Sequence, residues 1–234
     1  MDHPQDRDEL KRAAAYRAIE YVKDGMVVGL GTGSTAYFVV QGLGEWVKQG
    51  LKILGIPTSE RTAAQARSLN IPLTNLAAHP SIDVTIDGAD EVEHGTLNLI
   101  KGLGGAMLRE KIVAAASHQL VIVVDQEKLV ERLGDHTPVP VEVVQFGWQA
   151  TAAALERLGA TPVLRHATED HPFITDGGNY TLDCRFARIS DAKLLEQQIN
   201  MTVGVVDCGL FIGRASAVIV ATTAGIDIMT RGTT

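Results

Sequence analysis

The stretch MVVGLGTGSTAYFVVQGLGEWV, from Met26 to Val47, decides the fold of this chain. Its first six residues, MVVGLG, form a short apolar run that predicts a buried β-strand. The residues that follow, TGSTAYFVVQGLGEWV, predict an α-helix that begins directly after a glycine-containing turn. A strand that leads through such a turn into a helix is typical of a parallel sheet, which usually binds its ligand there.

Strands and helices keep alternating on both sides of this stretch. Apolar residues at helical spacing predict a preceding helix through Leu10, Ala14, Ala18, Tyr21 and Val22. Further strands are predicted in LKILGIP, SIDVTID, LNLI and QLVIVVD, and further helices in SERTAAQARSLN, with Ser59 as the N-cap, and AMLREKIVAAA. Near-uniformly apolar strands that alternate with helices predict a parallel sheet covered on both faces.

The pattern changes near Arg132. Strand, helix, strand, hairpin, helix and strand are predicted in PVEVV, WQATAAALERLG, TPVLR, ITDGGNYTLDCRF, SDAKLLEQQI and VGVVD, with DGGN as the hairpin turn. This β-α-β-β-α-β order is that of a ferredoxin-like split βαβ unit. The tail LFIGRASAVIVATTAGIDIM has buried-strand composition and is predicted to rejoin the first sheet.

These patterns predict an α/β protein built from two domains. A chain of 234 residues is long enough for one large domain with a smaller companion. We expect a Rossmann-like parallel-sheet domain over residues 1–131 plus 208–234. We expect a smaller ferredoxin-like α+β domain over residues 132–207.

The composition argues against several classes of partner. The net charge is -7 and the chain has no Lys/Arg-rich run, so neither nucleic acid nor an anionic membrane is an expected partner. The N-terminus MDHPQDRDELKRAA is more charged than a signal peptide, and no apolar stretch approaches the length of a membrane span. Cys184 and Cys208 suggest no disulfide framework. We therefore expect a cytoplasmic protein.

The glycine loop GLGTGSTA, residues 29–36, predicts an anion site. Backbone N–H groups at a helix N-terminus attract phosphate or carboxylate, and the hydroxyls of Thr32, Ser34 and Thr35 add donors. A dinucleotide fingerprint would need glycine at Ser34, and a phosphate-binding P-loop would need a Gly-Lys-Ser/Thr sequence. The alternative is a tight turn in which the serine and threonines only cap the helix.

The acidic stretch VTIDGADEVEHGTLNLIKGLGGAMLREK, residues 84–111, carries four carboxylates within seven residues: Asp87, Asp90, Glu91 and Glu93. Asp87 ends a predicted strand and Asp90 follows on the same loop, so the two carboxylates are placed to share a proton. One alternative is a solvated acidic turn. Another is a Mg²⁺ site, which the nearby cation of Lys101 makes less favourable.

The end of the same stretch combines a lysine, a glycine-rich turn and a helix. Lys101 is suited to stabilise a developing oxyanion as a point charge. Glu110 is suited to act as a general base if the fold turns it inward. The alternative is that Arg109, Glu110 and Lys111 form a solvated helix face.

Three motifs in this order, GTGST, DGADE and KGLGGAMLREK, resemble those of type A ribose-5-phosphate isomerase. VVDQEKLVERLG, PVPVEV, ITDGGNYTLD and a late GLF add to the resemblance, which covers nearly the whole chain. It implies interconversion of ribose 5-phosphate and ribulose 5-phosphate in the pentose phosphate pathway, without a cofactor or metal. It also implies a homodimer or a homotetramer.

The resemblance further implies roles for individual residues. The general base falls on Glu110, with Asp87, Asp90 and Lys101 as the other catalytic groups. The substrate-binding positions are Thr32, Gly33, Ser34, Thr35, Asp87, Gly88, Ala89, Asp90, Lys101, Gly102, Leu103, Gly104 and Lys128, with Lys11 near the phosphate. Leu103 stands where the family often has glycine, and GRASAVIV lacks an aspartate that the family often has there.

The chemistry of an aldose–ketose isomerase matches these groups. A proton must move between C1 and C2 through an enediolate. This requires a base, a cation for the oxyanion and a group that shuttles hydroxyl protons, which we assign to Glu110, Lys101 and Asp87. Asp90 is expected to orient substrate hydroxyls. Two other functions remain open at this point, a sugar-phosphate-binding sensor and a coenzyme A transferase-like enzyme with a glutamate nucleophile.

Overall fold

The structure is a computed structural model that describes residues 4–231, with side chains from residue 8 onward. Its α-helices are α1 Pro4–Ile19, α2 Ser34–Lys48, α3 Glu60–Ser68, α4 Met107–Ala115, α5 Trp148–Glu156 and α6 Ala192–Asn200. A short 3₁₀ helix lies at Gln126–Lys128. Residues 1–3 and 232–234, which belong to the predicted larger domain, lie outside the described residues.

The strands follow the predicted order along the chain, with several short additions. They are β1 Val27–Leu30, β2 Leu54–Pro57, β3 Ile82–Asp87, β4 Glu91–Glu93, β5 Leu99–Ile100, β6 Ser117–Asp125, β7 Leu129–Val130, β8 Val139–Val143, β9 Ala160–Leu164, β10 His166–Thr168, β11 His171–Pro172, β12 Tyr180–Phe186, β13 Val205–Cys208, β14 Leu210–Phe211, β15 Ala217–Thr222 and β16 Gly225–Thr230.

The larger sheet has the strand order β16-β15-β6-β3-β1-β2. All neighbouring strands are parallel except β15 and β16, which pair as an antiparallel hairpin. From Ala217 onward the tail therefore rejoins the first sheet, as predicted, whereas Leu210 and Phe211 at its start form β14 in another sheet. Because the parallel strands share one direction, the ends of β1 and β3 meet at the same carboxyl edge of the sheet.

Helices cover both faces of this sheet. On one face, α1 and α2 pack their apolar side chains against buried strand residues such as Val28, Val84 and Val121. On the other face, Val113 of α4 packs with Ile56 and Ile82. Alternate residues of a strand point to opposite faces, so strands buried on both sides must be apolar throughout, which is why these runs show no polar alternation.

A second sheet, with the order β13-β8-β12-β9, is antiparallel. Val139, Val141 and Val143 of β8 point to one face and form a core with residues of α5 and α6 such as Leu155 and Ile199. The two helices connect these strands in the β-α-β-β-α-β order. The predicted ferredoxin-like arrangement and the mixed α/β class are thus confirmed.

The turn predicted at DGGN forms, but the two segments that flank it do not pair as strands of a hairpin. The turn itself closes, because Thr175 donates its N–H to the Asn179 carbonyl at 2.9 Å and Gly178 donates to Thr175. However, Ile174 lies in no strand, and β12 pairs with β9 and β8. A separate small hairpin of β10 and β11 occupies the connection between β9 and β12.

The chain divides into two compact units whose boundaries differ from the predicted domains. The larger unit comprises Met1–Ala89, Arg109–Leu129 and Arg214–Thr234. The smaller unit comprises Asp90–Leu108 and Val130–Gly213. Residues 90–108 belong to the smaller unit because β4 pairs with β5 and β5 pairs with β14, in a third sheet of order β14-β5-β4-β7.

Candidate active site

In the larger unit, the glycine loop after β1 leads directly into α2. Gly33 is the N-cap of α2, with a φ of 126° that favours glycine, and it has no side chain to cap the helix. Lys11 of α1 donates a hydrogen bond from its ammonium to Ser34 Oγ at 3.3 Å. A helix N-terminus and a lysine therefore meet at Ser34, as an anion site requires.

A cavity of about 530 Å³ adjoins this loop within the larger unit. Gly33 and Ser34 line it together with Tyr37, Arg61 and other residues of α2 and α3. Its volume lies in the ordinary range for small-molecule pockets. The predicted anion loop therefore borders a space large enough for an organic ligand.

Thr32 uses its hydroxyl inside the protein. Its Oγ1 lies 2.7 Å from Thr58 Oγ1, 2.8 Å from Ser59 Oγ and 3.0 Å from Thr62 Oγ1. These four buried hydroxyls, which we call the hydroxyl cluster, tie the ends of β1 and β2 to the start of α3. Ser59 also caps α3 by accepting from the Thr62 N–H, as predicted. Thr32 therefore shapes the loop through its side chain, while Ser34 is exposed.

Asp87 is buried at the carboxyl end of β3, with 1% of its surface exposed. Its Oδ1 accepts hydrogen bonds from the backbone N–H of Thr32 at 3.0 Å and of Gly88 at 2.8 Å. A Cβ added to Gly31 would lie 2.3 Å from Asp87 Oδ1 and 2.6 Å from its Cα, so only glycine fits there. The acidic turn is thus joined to the anion loop.

Glu110 lies on the same side of the larger sheet as Asp87. A Cβ added to Gly29 would meet a Val113 methyl at 2.8 Å, so α4 covers this side of β1. Gly31 is two residues further along and faces Asp87 on the same side. Because α4 ends just before the parallel strand β6 begins, its first turn, with Glu110, lies towards the carboxyl edge.

The predicted alternative of a solvated helix face does not hold for α4. Glu110 and Lys111 are both buried, each with 4% of its surface exposed. Arg109 is partly exposed and pairs with Glu60 of α3 at 2.9 Å. A glutamate is rarely buried to this extent unless its charge is compensated or used, which makes Glu110 a candidate functional group.

Lys128, the last substrate-binding lysine implied by the resemblance, also belongs to the larger unit. It is half-buried at the end of the 3₁₀ helix that follows β6. The strand β6 pairs with β3 in the register Asp87↔Ile122, so its carboxyl end extends past that of β3. Lys128 therefore follows a neighbouring strand end at the carboxyl edge.

In the smaller unit, Lys101 follows β5 and is almost completely buried, with 3% of its surface exposed. Its backbone N–H donates to the Gly209 carbonyl at 2.9 Å. Its ammonium lies 5.6 Å from the centre of the Phe211 ring, a favourable cation–π distance. The lysine charge is therefore held in a defined position.

The glycine-rich turn after Lys101 requires glycine at two places. Gly102 has a φ of 113° and Gly105 a φ of 81°, both in the region that favours glycine. Asp90 Oδ2 accepts the backbone N–H of Leu103 at 2.9 Å. The Leu103 side chain is 40% exposed, so the extra bulk at this position points away from the core of the smaller unit.

Glu91 has a structural role that its position in the acidic stretch does not predict. It is 1% exposed and accepts the backbone N–H groups of Gly134, His136 and Thr137 at 2.6–2.8 Å. Three backbone donors satisfy this carboxylate where it is buried. No local signal distinguishes it from Asp90, because its partners lie more than forty positions away in the chain.

The described side chains indicate neither a metal site nor a reactive cysteine at Cys184. Within the described part of the chain, no three His, Cys, Asp or Glu side chains form a group that could hold a metal ion. Burial, together with the charge of Asp183, raises the pKa of the Cys184 thiol to about 12, so it stays protonated at neutral pH. None of the described helices is long and apolar enough to cross a membrane.

Comparison with known proteins identifies the family. The family model for ribose 5-phosphate isomerase A (phosphoriboisomerase A) matches residues 54–225. Ribose-5-phosphate isomerase A of Gloeobacter violaceus is 62% identical over 225 residues, covering 96% of this chain and 97% of the relative. The Gluconobacter oxydans protein of the same name is 52% identical over 218 residues, covering 93% and 94%.

Solved structures agree with the sequence relatives. The structure of ribose 5-phosphate isomerase A from Methanocaldococcus jannaschii has a TM-score of 0.92 and 41% identity, covering 96% of this chain and 99% of the other. A D-ribose-5-phosphate isomerase in complex with phospho-erythronic acid has a TM-score of 0.93 and 40% identity, with the same coverage. By these matches, the chain belongs to the ribose 5-phosphate isomerase A family.

Proposed function

We propose that Glu110 is the general base with which this enzyme interconverts ribose 5-phosphate and ribulose 5-phosphate. The chain is an aldose–ketose isomerase by family, and neither a sensor nor a coenzyme A transferase is favoured. The observation that carries the assignment is the burial of Glu110 on the side of the sheet that Asp87 faces. An assay that monitors formation of the ketose from ribose 5-phosphate by its absorbance tests the activity itself.

The isomerisation transfers one proton between neighbouring carbons. In ribose 5-phosphate the base removes the proton on C2, the C1 aldehyde becomes an enediolate, and the same proton or its replacement is delivered to C1. A carboxylate on one rigid helix suits this exchange, because a single base must reach both carbons. Burial of Glu110 supports this role, since it limits competing contact with bulk water.

Asp87 is the group we assign to proton movement between the substrate hydroxyls and to opening of the sugar ring. Two backbone N–H groups donate to its Oδ1, and these hydrogen bonds orient the carboxylate. Asp90 is assigned to orienting substrate hydroxyls, and its bond to the Leu103 N–H supports a further part in shaping the turn after Lys101.

Lys101 is assigned to the developing oxyanion of the enediolate. A cation aimed at a growing negative charge, in a site with little water, stabilises the transition state more than the ground state. Supporting this role, the lysine is buried, with its ammonium over the Phe211 ring. No step requires a cofactor.

The phosphate is assigned to the start of α2, with Ser34, Thr35 and the ammonium of Lys11, and with Lys128 as a further contact. The relative that binds phospho-erythronic acid supports a sugar-phosphate ligand, since that acid combines a phosphate with a short polyol chain. Thr32 contributes through its backbone, because its hydroxyl belongs to the hydroxyl cluster.

Ser34→Ala combined with Thr35→Ala is expected to raise the KM for ribose 5-phosphate with little change in kcat. The two hydroxyls would contact the phosphate equally in the ground and transition states, so their loss weakens uniform binding. Steady-state kinetics measures both constants. The matched control is Ser68→Ala, which removes a hydroxyl that donates to the Gln65 carbonyl at the end of α3. An unchanged KM in the double variant would leave the loop a simple helix-capping turn.

Activity is expected to survive exhaustive treatment with EDTA, because we assign the positive charge at the oxyanion to Lys101 rather than to a metal ion. The measurement compares initial rates before and after chelation and gel filtration. Loss of activity in EDTA that Mg²⁺ restores would instead make Asp87 and Asp90 metal ligands.

We also propose a homodimer or homotetramer in the cytoplasm. The family resemblance supports the assembly, as do Phe146, Met201 and Val203, which are 85–95% exposed on the smaller unit. Two buried thiols in a chain that suggests no disulfide framework fit a reducing compartment. Sedimentation equilibrium distinguishes these assemblies from a monomer, which would contradict the proposal.

A further inference from the structure

Arg165 lies directly after β9 in the smaller unit and is held by Asp183 of β12. Its Nε donates to Asp183 Oδ2 at 2.9 Å, and its Nη2 donates to Oδ1 of the same carboxylate. This is the bidentate arrangement that fixes a guanidinium in both position and orientation. The Arg165 side chain is only 13% exposed, so water screens the pair little.

The remaining donor group of Arg165 points at the glycine-rich turn after Lys101. Nη1 donates to the Gly102 carbonyl at 2.9 Å and to the Leu103 carbonyl at 3.2 Å. Two successive carbonyls are thereby turned towards the arginine. The Leu103 N–H points instead to Asp90. The Gly102 carbonyl also accepts the Gly105 N–H at 3.0 Å, so hydrogen bonds fix the orientation of both peptide groups.

The same arginine supports the far end of the turn through Phe173. Its guanidinium carbon lies 5.8 Å from the centre of the Phe173 ring. A Cβ added to Gly105 would lie 2.3 Å from Phe173 Cζ, so that ring packs directly on the backbone of the turn. The turn has glycine-only conformations at Gly102 and Gly105 and needs such external contacts, because glycine costs the most conformational entropy to order.

We propose that Arg165, fixed by Asp183, is a positioning residue of the isomerase: it holds the turn 102–105 so that Lys101 meets the oxyanion. Asp183 neutralises the charge of Arg165, so the arginine is not assigned a direct contact with the substrate. This inference rests on the proposed role of Lys101. It assigns a catalytic consequence to a pair that lies outside the three motifs of the family resemblance.

Arg165→Ala is expected to lower kcat by roughly 10- to 100-fold, more than it raises KM, because a small misplacement of a catalytic group carries a cost of this size. Arg165→Lys is expected to lower kcat as well, since an ammonium cannot span one carboxylate and two carbonyls as a planar fork does. Added guanidinium ion is expected to restore part of the kcat of Arg165→Ala.

The matched control is Arg157→Ala, which removes another arginine of the smaller unit that donates to a backbone carbonyl, that of Ala153 in α5, the helix that ends just before Arg157. It should keep the kcat of the unchanged enzyme. The inference is overturned if Arg165→Lys, measured in folded protein, has an unchanged kcat. It is also overturned if guanidinium ion restores nothing to a folded Arg165→Ala variant.

Lys101→Ala separates this inference from the proposed function. If Lys101→Ala is impaired, Arg165→Ala should cost little more in that background, because both changes remove the same stabilisation. Full additivity would overturn the positioning role while leaving the role of Lys101 intact. A fully active Lys101→Ala would overturn the role of Lys101 itself, and with it the inference.

Discussion

Glu110→Gln is expected to lower kcat for ribose 5-phosphate isomerisation by about 10²–10⁴, the usual worth of a positioned general base. The amide keeps the size and shape of the side chain in its buried place on α4 but cannot accept the C2 proton. Substrate binding should therefore change little, and the loss should appear in kcat rather than KM. Steady-state kinetics on the purified variant measures both.

Solvent exchange provides a second readout of the same base. In D₂O, a carboxylate that holds the substrate proton can exchange it while the enediolate lives, so the product should carry deuterium at the carbon that receives the proton. A direct hydride shift would deliver only the original hydrogen. Mass spectrometry or NMR of the product distinguishes the two.

The matched control for Glu110→Gln is Glu156→Gln, which makes the same change at an exposed position of α5 and should leave kcat unaltered. Near-normal turnover in Glu110→Gln would contradict the assignment and point to Asp87 as the base. A product free of deuterium after prolonged incubation would contradict solvent exchange at the base and point to hydride transfer or to a proton fully shielded from water.

Gly31→Ala is expected to reduce kcat by roughly 10²-fold, because it displaces Asp87. The new methyl would lie 2.5 Å from the Asp87 carboxyl carbon and 2.6 Å from its Cα, so a side-chain rotation alone cannot relieve the contact. The end of β3 must move, and the hydrogen bond from the Thr32 N–H to Asp87 is strained or lost. Overpacking of this kind also costs about 1–3 kcal/mol of stability.

Gly25→Ala separates loss of stability from displacement of Asp87. Gly25 has a φ of 86° and nothing within 4 Å of an added Cβ, so alanine there introduces backbone strain alone, about 1–2 kcal/mol. Denaturant unfolding should show a loss of stability in both variants, whereas only Gly31→Ala should lose turnover. Equal kcat values in the two variants would show that the position of Asp87 is not critical.

Much of the fold was predictable because its signals are local. The apolar runs of β1, β3 and β6, the N-cap Ser59 and the ferredoxin-like order of strands and helices all depend on residues close in the chain. The boundaries of the units were less predictable. Residues 90–108 join the smaller unit through pairing of β5 with β14, a contact between segments about a hundred positions apart.

Within the candidate site, the sequence did not predict which partners each polar side chain has. Asp90 and Glu91 are neighbours in the acidic stretch, yet Asp90 holds the turn at Leu103 and Glu91 accepts three distant backbone N–H groups. Thr32 belongs to the predicted anion loop, yet its hydroxyl lies in the hydroxyl cluster. Motif position alone does not distinguish these roles, because the partners come from other elements.

The sequence by itself determined the family and the alternation of strands and helices, and it indicated the residues that we propose carry the chemistry, because motif spacing and hydrophobic period are properties of the chain. Only the tertiary structure decided that Glu110 and Lys101 are buried and that Arg165 holds the turn after Lys101 from about sixty positions away. Burial and long-range hydrogen bonds arise when distant segments pack together, and no local pattern records them.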